Sequence, residues 1–247
     1  MSQTKPSSLA EFKLNLTAEP HKDAEVVNGR PKRPVFKVSN KYNQIHLRVY
    51  TGVAGDKNKG VIEGNMSYAY FQSLIELVRD VAQPDWPAGK RVGITCENFV
   101  YPNGKRSEKP EVVSTAYVGK NKEGVVYIAL LAPQYQNRPM IQFFFDDDEY
   151  HHMVDAEGKP LDRAEVSGRI ARSYSRWMGD IVTVDFVNVF MTRDQVEAAK
   201  EAAKANRGGG GYNKGGNGGG YNKGNNSGGG YKAAPSNVED MSDDIPF

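Results

Sequence analysis

The sequence lacks the features that mark secreted, membrane-spanning and cysteine-rich proteins. Its single cysteine, Cys96, excludes an internal disulfide and a zinc site built from paired cysteines. No apolar run approaches the roughly 18 residues of a membrane-spanning helix, and the polar start at residues 1–13 does not have the layout of a signal peptide. We therefore expect a soluble, cytoplasmic protein without a membrane partner.

The sequence also lacks familiar catalytic and cofactor-binding motifs. It contains no Walker A loop, no dinucleotide-binding glycine fingerprint, no GxSxG elbow and no HExxH pair. One cluster, Asp146–Glu149 with His151 and His152, has residue types that can hold Mg²⁺ or Mn²⁺ in a nuclease. Consecutive acidic residues in an extended chain point to alternating sides, so an acidic surface loop is the simpler interpretation. We expect no catalytic residue, metal or cofactor, with a divalent-metal nuclease as the least favoured alternative.

Glycine is concentrated near the end of the chain. Of 26 glycines, 13 lie between Gly208 and Gly230, where GGGYNKG occurs twice. Such a segment has too little apolar surface to offset its conformational entropy, so residues 208–237 are predicted to be a disordered linker. Its repeats pair a tyrosine with a lysine, and these pairs either contact nucleic acid or only keep the linker soluble. The pairs are Tyr212 with Lys214, Tyr221 with Lys223, and Tyr231 with Lys232.

The last ten residues, VEDMSDDIPF at 238–247, combine four carboxylates with an apolar end. A terminal phenylalanine can enter an apolar pocket while the acidic residues steer the encounter with a basic partner. This segment resembles the C-terminal tip of bacterial single-stranded DNA-binding proteins, although Ser242 stands where those tips usually carry another aspartate. The residues that match are Asp243, Asp244, Ile245, Pro246 and Phe247.

The resemblance implies an OB-fold core that coats single-stranded DNA and a tip that recruits replication, recombination and repair proteins. The body has no bacterial-type motif and is longer than the usual bacterial core. It is more similar to phage-encoded single-stranded DNA-binding proteins, which implies a location in the cytoplasm of an infected bacterial cell. The sequence is compatible with a homo-oligomer and does not determine the oligomeric state.

The body itself is predicted to be mainly β with added helices, an α+β fold built on an OB-fold-like five-stranded barrel. Residues 1–34 are expected to form an irregular N-terminal arm packed on the core, and residues 35–207 the nucleic-acid-binding domain. Alternating or apolar runs predict strands, and 3.6-residue periodicity predicts helices. The predicted strands are Gln44–Tyr50, Val92–Val100, Glu111–Val118, Val125–Leu131, Met140–Phe145 and Ile181–Met191. The predicted helices are Phe71–Ala82, Leu161–Met178 and Thr192–Asn206.

Basic and aromatic residues interleave in two parts of the body. Between Lys22 and Arg48 there are seven basic residues and two acidic ones. Aromatic rings beside cations are what sequence-tolerant binding of single strands requires. The predicted DNA-binding residues are Lys32, Arg33, Lys37, Tyr42, Arg48, Tyr50, Phe99, Tyr101, Lys105, Arg106 and Tyr117. An RNA-binding or RNA-chaperone protein is the main alternative, because glycine-rich repeats with tyrosines also occur there.

Overall fold

The computed structural model describes Leu16 and residues 18–53, 60–101, 105–133, 140–148 and 150–208. Apart from Gly208, the predicted linker and the acidic tip lie outside the described residues, as do residues 1–15 and 17 of the predicted arm. Three helices accompany antiparallel strands in the described part of the chain, so the predicted mixed α+β class is confirmed. The chain divides into two compact units at Phe190 and Met191.

The first sheet is a three-stranded antiparallel meander of β3, β4 and β5. It follows a small ribbon of β1 and β2, and the predicted strand at residues 44–50 is confirmed with the same bounds. Ile45, Leu47 and Val49 are fully buried, as their alternation requires. The strands are β1 (Val26–Val27), β2 (Arg30–Pro31), β3 (Val35–Lys41), β4 (Gln44–Tyr50) and β5 (Val61–Ser67).

The second sheet has four strands, β6 to β9, hydrogen-bonded in chain order, and it follows the helix α1 (Tyr68–Val81) in the chain. β6 and β7 correspond to the predicted strands Val92–Val100 and Glu111–Val118 and pair antiparallel, with a register shift between Cys96 and Glu97. Residues 102–104, between the two predicted strands, lie outside the described residues. The strands are β6 (Arg91–Asn98), β7 (Glu111–Lys120), β8 (Val126–Leu131) and β9 (Phe143–Phe144).

Three helices are present in the described residues: α1 (Tyr68–Val81), α2 (Arg163–Val189) and α3 (Arg193–Gly208). Ser67 caps α1, since its Oγ accepts a hydrogen bond from the backbone N–H of Tyr70 at 3.4 Å. In the other compact unit, Thr192 and Gln195 form a capping box at the start of α3, where the predicted helix Thr192–Asn206 begins. None of these helices combines the length and apolar character needed to cross a lipid bilayer.

The prediction of a strand at Ile181–Met191 is wrong, because α2 continues through Val189. The β-branched run that suggested a strand is helical, and Met178, Val182 and Asp185 are buried along one side. The Thr183 hydroxyl donates to the carbonyl of Gly179 at 2.7 Å, and its oxygen lies 2.5 Å from the Tyr68 hydroxyl of α1. Contacts with α1 therefore hold this segment in a helix against its local propensity.

The two sheets enclose one hydrophobic core and pack closely at Gly64 of β5. A Cβ added to Gly64 would lie 2.6 Å from Ser114 Oγ of β7 and 3.1 Å from Leu130 Cδ1 of β8. Phe36 and Phe143 also meet across the core, with ring centroids 5.4 Å apart. Hydrogen bonds among the described residues form sheets of three and four strands and do not close a five-stranded barrel, because β5 meets the second sheet through packing.

Candidate nucleic-acid interface

The outer face of the first sheet carries cations and an aromatic ring side by side. Because β3, β4 and β5 bury alternate residues, the intervening side chains point away from the core. Lys37 of β3 is paired in register with Arg48 of β4, and Tyr50 follows on the same face of β4. The Lys37 Nζ lies 5.5 Å from the centre of the Tyr50 ring. Lys37, Arg48 and Tyr50 therefore lie on one outward face of the sheet, with the Lys37 ammonium beside the Tyr50 ring.

An acidic residue partly neutralises this face. Glu63 of β5 is paired in register with Arg48, and the Glu63 Oε1 lies 2.6 Å from the Arg48 Nε. Both side chains are about one-third exposed, so solvent and a bound anion can reach the outer part of the guanidinium, although the Arg48 Nε itself is buried. A phosphate that approaches Arg48 competes with Glu63 for the guanidinium. Lys37 has no carboxylate partner within salt-bridge distance among the described residues.

Other predicted residues extend the basic surface at the two ends of the first sheet. At one end, Tyr42 occupies the turn between β3 and β4 with a φ of 53°, and the Lys41 Nζ lies 4.6 Å from its ring centre. At the other end, Lys32 packs against Gly52, where a Cβ would lie 2.8 Å from the Lys32 carbonyl oxygen. Arg33 follows directly and is exposed. Lys32 and Arg33 therefore lie near the Tyr50 end of the sheet.

The second sheet has its own aromatic face, which includes Tyr117. Tyr117 of β7 is paired with Gly93 of β6, where a Cβ would lie 2.7 Å from the tyrosine Cδ1. The guanidinium carbon of Arg91 lies 4.5 Å from the Tyr117 ring centre. Phe144 of β9 lies on the same face, and Arg163 is 5.9 Å from its ring centre. Sequence reasoning missed Arg91 and Phe144, since only the register of β6 to β9 brings them onto the face of Tyr117.

The residues predicted around the β6–β7 turn lie beyond the strand. β6 ends at Asn98 and not at the predicted Val100, so Phe99 and Tyr101 follow the strand and do not lie on its face. The guanidinium carbon of Arg106 lies 3.7 Å from the centre of the half-buried Phe99 ring. Lys105 and Tyr101 are exposed. The structure therefore distributes the predicted residues over the first sheet, the second sheet and this turn.

The described acidic residues that suggested a nuclease each contact a different partner. Asp146 accepts hydrogen bonds from the Arg163 Nε and Nη2 at 2.9 and 2.6 Å, and Asp147 lies 3.5 Å from His152. The backbone N–H of Tyr150, followed by His151, lowers the pKa of Asp148. In the part of the chain that the structure describes, which omits Glu149, no three His, Cys, Asp or Glu side chains converge on a possible metal position.

Cys96 and Tyr127 are titratable residues whose side chains are packed inside the fold. Burial raises the pKa of the Cys96 thiol, and it raises the pKa of the Tyr127 hydroxyl against the opposing effect of Arg91. A buried thiol with a raised pKa is a poor nucleophile at neutral pH. Cys96 therefore acts as a core residue.

Comparison of the sequence and the structure with known proteins identified no similar protein. No protein-family model matches the chain, and no curated protein or solved structure is significantly similar to it. A function for this protein must therefore be inferred from its own residues.

Proposed function

We propose that this protein binds single-stranded DNA without reading its sequence, and protects it during replication, recombination and repair. The observation that carries the proposal is the outer face of the first sheet, where the neighbouring cations Lys37 and Arg48 lie beside the exposed ring of Tyr50. Cations bind phosphates of any sequence, and a ring can stack on any base. This combination on an open sheet face suits a flexible single strand better than a duplex, whose bases are already stacked.

The repeated pairing of rings with cations supports sequence-independent binding. Tyr50 has Lys37 beside its ring, and the rings of Phe99 and Tyr117 each have an arginine within 5 Å of the ring centre. Arginine adds a cation–π contribution to stacking and a charge for the phosphate backbone. Several such units let a strand be held at intervals along its length.

The C-terminal segments complete the proposal. In it, residues 208–237 act as a tether, and the tip at Asp243–Phe247 presents an apolar end and carboxylates to partner proteins. The resemblance of this tip to those of bacterial single-stranded DNA-binding proteins points to replication, recombination and repair enzymes as the partners.

We also infer that the body is an elaborated OB-like barrel of the kind found in phage-encoded proteins. Three features favour it: the β3–β4–β5 meander, the position of α1 between β5 and β6, and the packing of Gly64 on β7 and β8. The packing of β5 on β7 and β8 that this barrel requires is tested by substitution at Gly64, where an added Cβ would meet Ser114 and Leu130.

The proposed function is tested by titrating the full-length protein with a fluorescent single-stranded DNA oligomer in magnesium buffer. Unlabelled RNA and duplex DNA serve as competitors, and a denaturing gel of the same samples reports cleavage. We expect the gel to show uncleaved DNA and the affinity for single-stranded DNA to fall as the salt concentration rises. Unlabelled duplex DNA and RNA should displace the labelled strand poorly. Equal competition by RNA would instead favour the RNA-binding alternative, and a shortened strand would favour a nuclease.

The contribution of stacking is tested at Tyr50. Replacing Tyr50 with leucine should weaken binding about tenfold, within the range of stacking contributions per base, whereas phenylalanine should retain affinity. Tyr70→Leu is the matched control, because Tyr70 is exposed on α1 and lies on neither sheet. Fluorescence anisotropy measures the affinities, and equal affinities for the Tyr50→Leu protein and the unsubstituted protein would remove Tyr50 from the binding face.

A further inference from the structure

A pocket of about 270 Å³ lies between α1 and α2, and three of its five lining residues are arginines. α1 buries Phe71, Leu74, Ile75 and Val78 and leaves its pocket residues exposed, so the pocket opens to solvent. The lining residues are Glu76 and Arg79 of α1 with Arg172, Ser175 and Arg176 of α2. None of them lies on the outer face of either sheet.

The charges in this pocket are not balanced within the described residues. Glu76 contacts Arg79, and the Arg172 Nη1 donates to the carbonyl oxygen of Ala82 at 2.6 Å. Arg176 is exposed and has no ion-pair partner in the described parts of the chain. Three arginines and one glutamate give the lining residues two net positive charges, and Arg172 and Arg176 lie one turn apart on α2, where like charges repel.

Close packing of the two helices holds the pocket in shape. A Cβ added to Gly168 of α2 would lie 3.1 Å from the carbonyl oxygen of Ala82 at the end of α1. The Lys120 Nζ donates to the carbonyl oxygens of Gln83 and Trp86 at 2.7 and 3.2 Å. Arg172 and Lys120 thus bond carbonyl oxygens at and just beyond the end of α1. Arg176 remains available at the rim for a ligand.

We propose that this pocket binds carboxylates of the chain's own acidic tip, Val238–Phe247. Guanidinium groups match carboxylates with paired hydrogen bonds, and the tip carries four carboxylate side chains and the terminal one. No aromatic ring lines the pocket, so it offers a nucleobase nothing to stack on. A linker of about 30 residues with an r.m.s. extension of about 30 Å keeps a tethered tip at roughly millimolar local concentration. All five lining residues lie on α1 and α2, so the pocket is separate from the outer faces of the two sheets.

The test uses full-length protein in which Glu239, Asp240, Asp243 and Asp244 are replaced by the corresponding amides. A fluorescein-labelled peptide of residues 238–247 is titrated at low salt without DNA, and anisotropy reports binding. Adding Arg176→Glu should weaken peptide binding about tenfold, because it removes the unpaired cation and adds a repelling charge. Arg169→Glu is the matched control, since Arg169 is an exposed arginine of α2 that does not line the pocket, and it should have little effect.

Two further measurements make the outcome decisive. The chain with its natural tip should bind the labelled peptide about tenfold more weakly than the amide variant, at every protein concentration, because its own tip occupies the pocket. Lys37→Glu should leave peptide binding unchanged. The proposal is overturned if the labelled peptide does not bind, or if it binds equally well to the chain with its natural tip and to the amide variant. It is also overturned if Lys37→Glu, instead of Arg176→Glu, abolishes peptide binding. The last result would place the tip on the proposed DNA face. None of these readouts depends on whether the protein binds DNA.

Discussion

Replacing Lys37 and Arg48 together with alanine is expected to weaken binding of a single-stranded DNA oligomer about 10- to 100-fold at low salt. The two side chains are neighbours in register on the outer face of the first sheet, so one strand can contact both through adjacent phosphates. Loss of two phosphate contacts should also make the slope of log affinity against log salt shallower by about 1.4, at roughly 0.7 per contact for single strands. Titrations at four salt concentrations measure both quantities.

Glu63 provides a control of opposite sign on the same face. Glu63→Gln removes the carboxylate that competes for Arg48, so it should strengthen DNA binding a few-fold. The Arg48–Glu63 pair is partly exposed and contributes roughly 0 to 1 kcal/mol to stability, so both variants should remain folded, which circular dichroism checks. An unchanged salt slope in the double variant would mean that the strand lies elsewhere, with the Tyr117 face of the second sheet as the next candidate.

Gly64→Ala is expected to lower the free energy of unfolding by about 1 to 3 kcal/mol, a large effect for one methyl group. The new Cβ would lie 2.6 Å from Ser114 Oγ, where β5 crosses β7, and neither strand can move without disturbing its ladder. Removing the hydroxyl by Ser114→Ala should recover part of the loss, with a coupling of about 1 kcal/mol in the double-mutant cycle. Urea denaturation of the four proteins measures the free energies.

Gly179→Ala is the matched control for this prediction. Gly179 lies within α2. A Cβ added there would have the Gln72 Oε1 as its nearest neighbour, at an ordinary van der Waals distance of 3.4 Å. Alanine there should stabilise the protein by about 0.5 to 1 kcal/mol, because glycine weakens a helix interior. If Gly64→Ala also proves neutral or stabilising, β5 does not pack on β7 at this point, and the inferred barrel loses its main support.

Local patterns in the sequence were sufficient for several elements of the body. The alternation at Gln44–Tyr50 identifies β4 because side-chain burial in a strand has a fixed period of two. The spacing of Phe71, Leu74, Ile75 and Val78 identifies α1 in the same way, and Ser67 marks its start. In each case the deciding contacts lie within a few residues along the chain.

The sequence by itself determined where glycine is concentrated and that the last ten residues are acidic with an apolar end, and from this composition it predicts a globular body followed by a linker that buries too little surface to fold. Only the tertiary structure decided that Ile181–Val189 is helical, because contacts of Tyr68 with Thr183 and Phe186 override the propensity of a β-branched run. Only the register of the strands places Tyr50 beside Lys37 and Tyr117 beside Arg91 on the outer faces of different sheets. The arginine pocket likewise arises from residues about 100 positions apart in α1 and α2, and no local pattern in the sequence encodes that proximity.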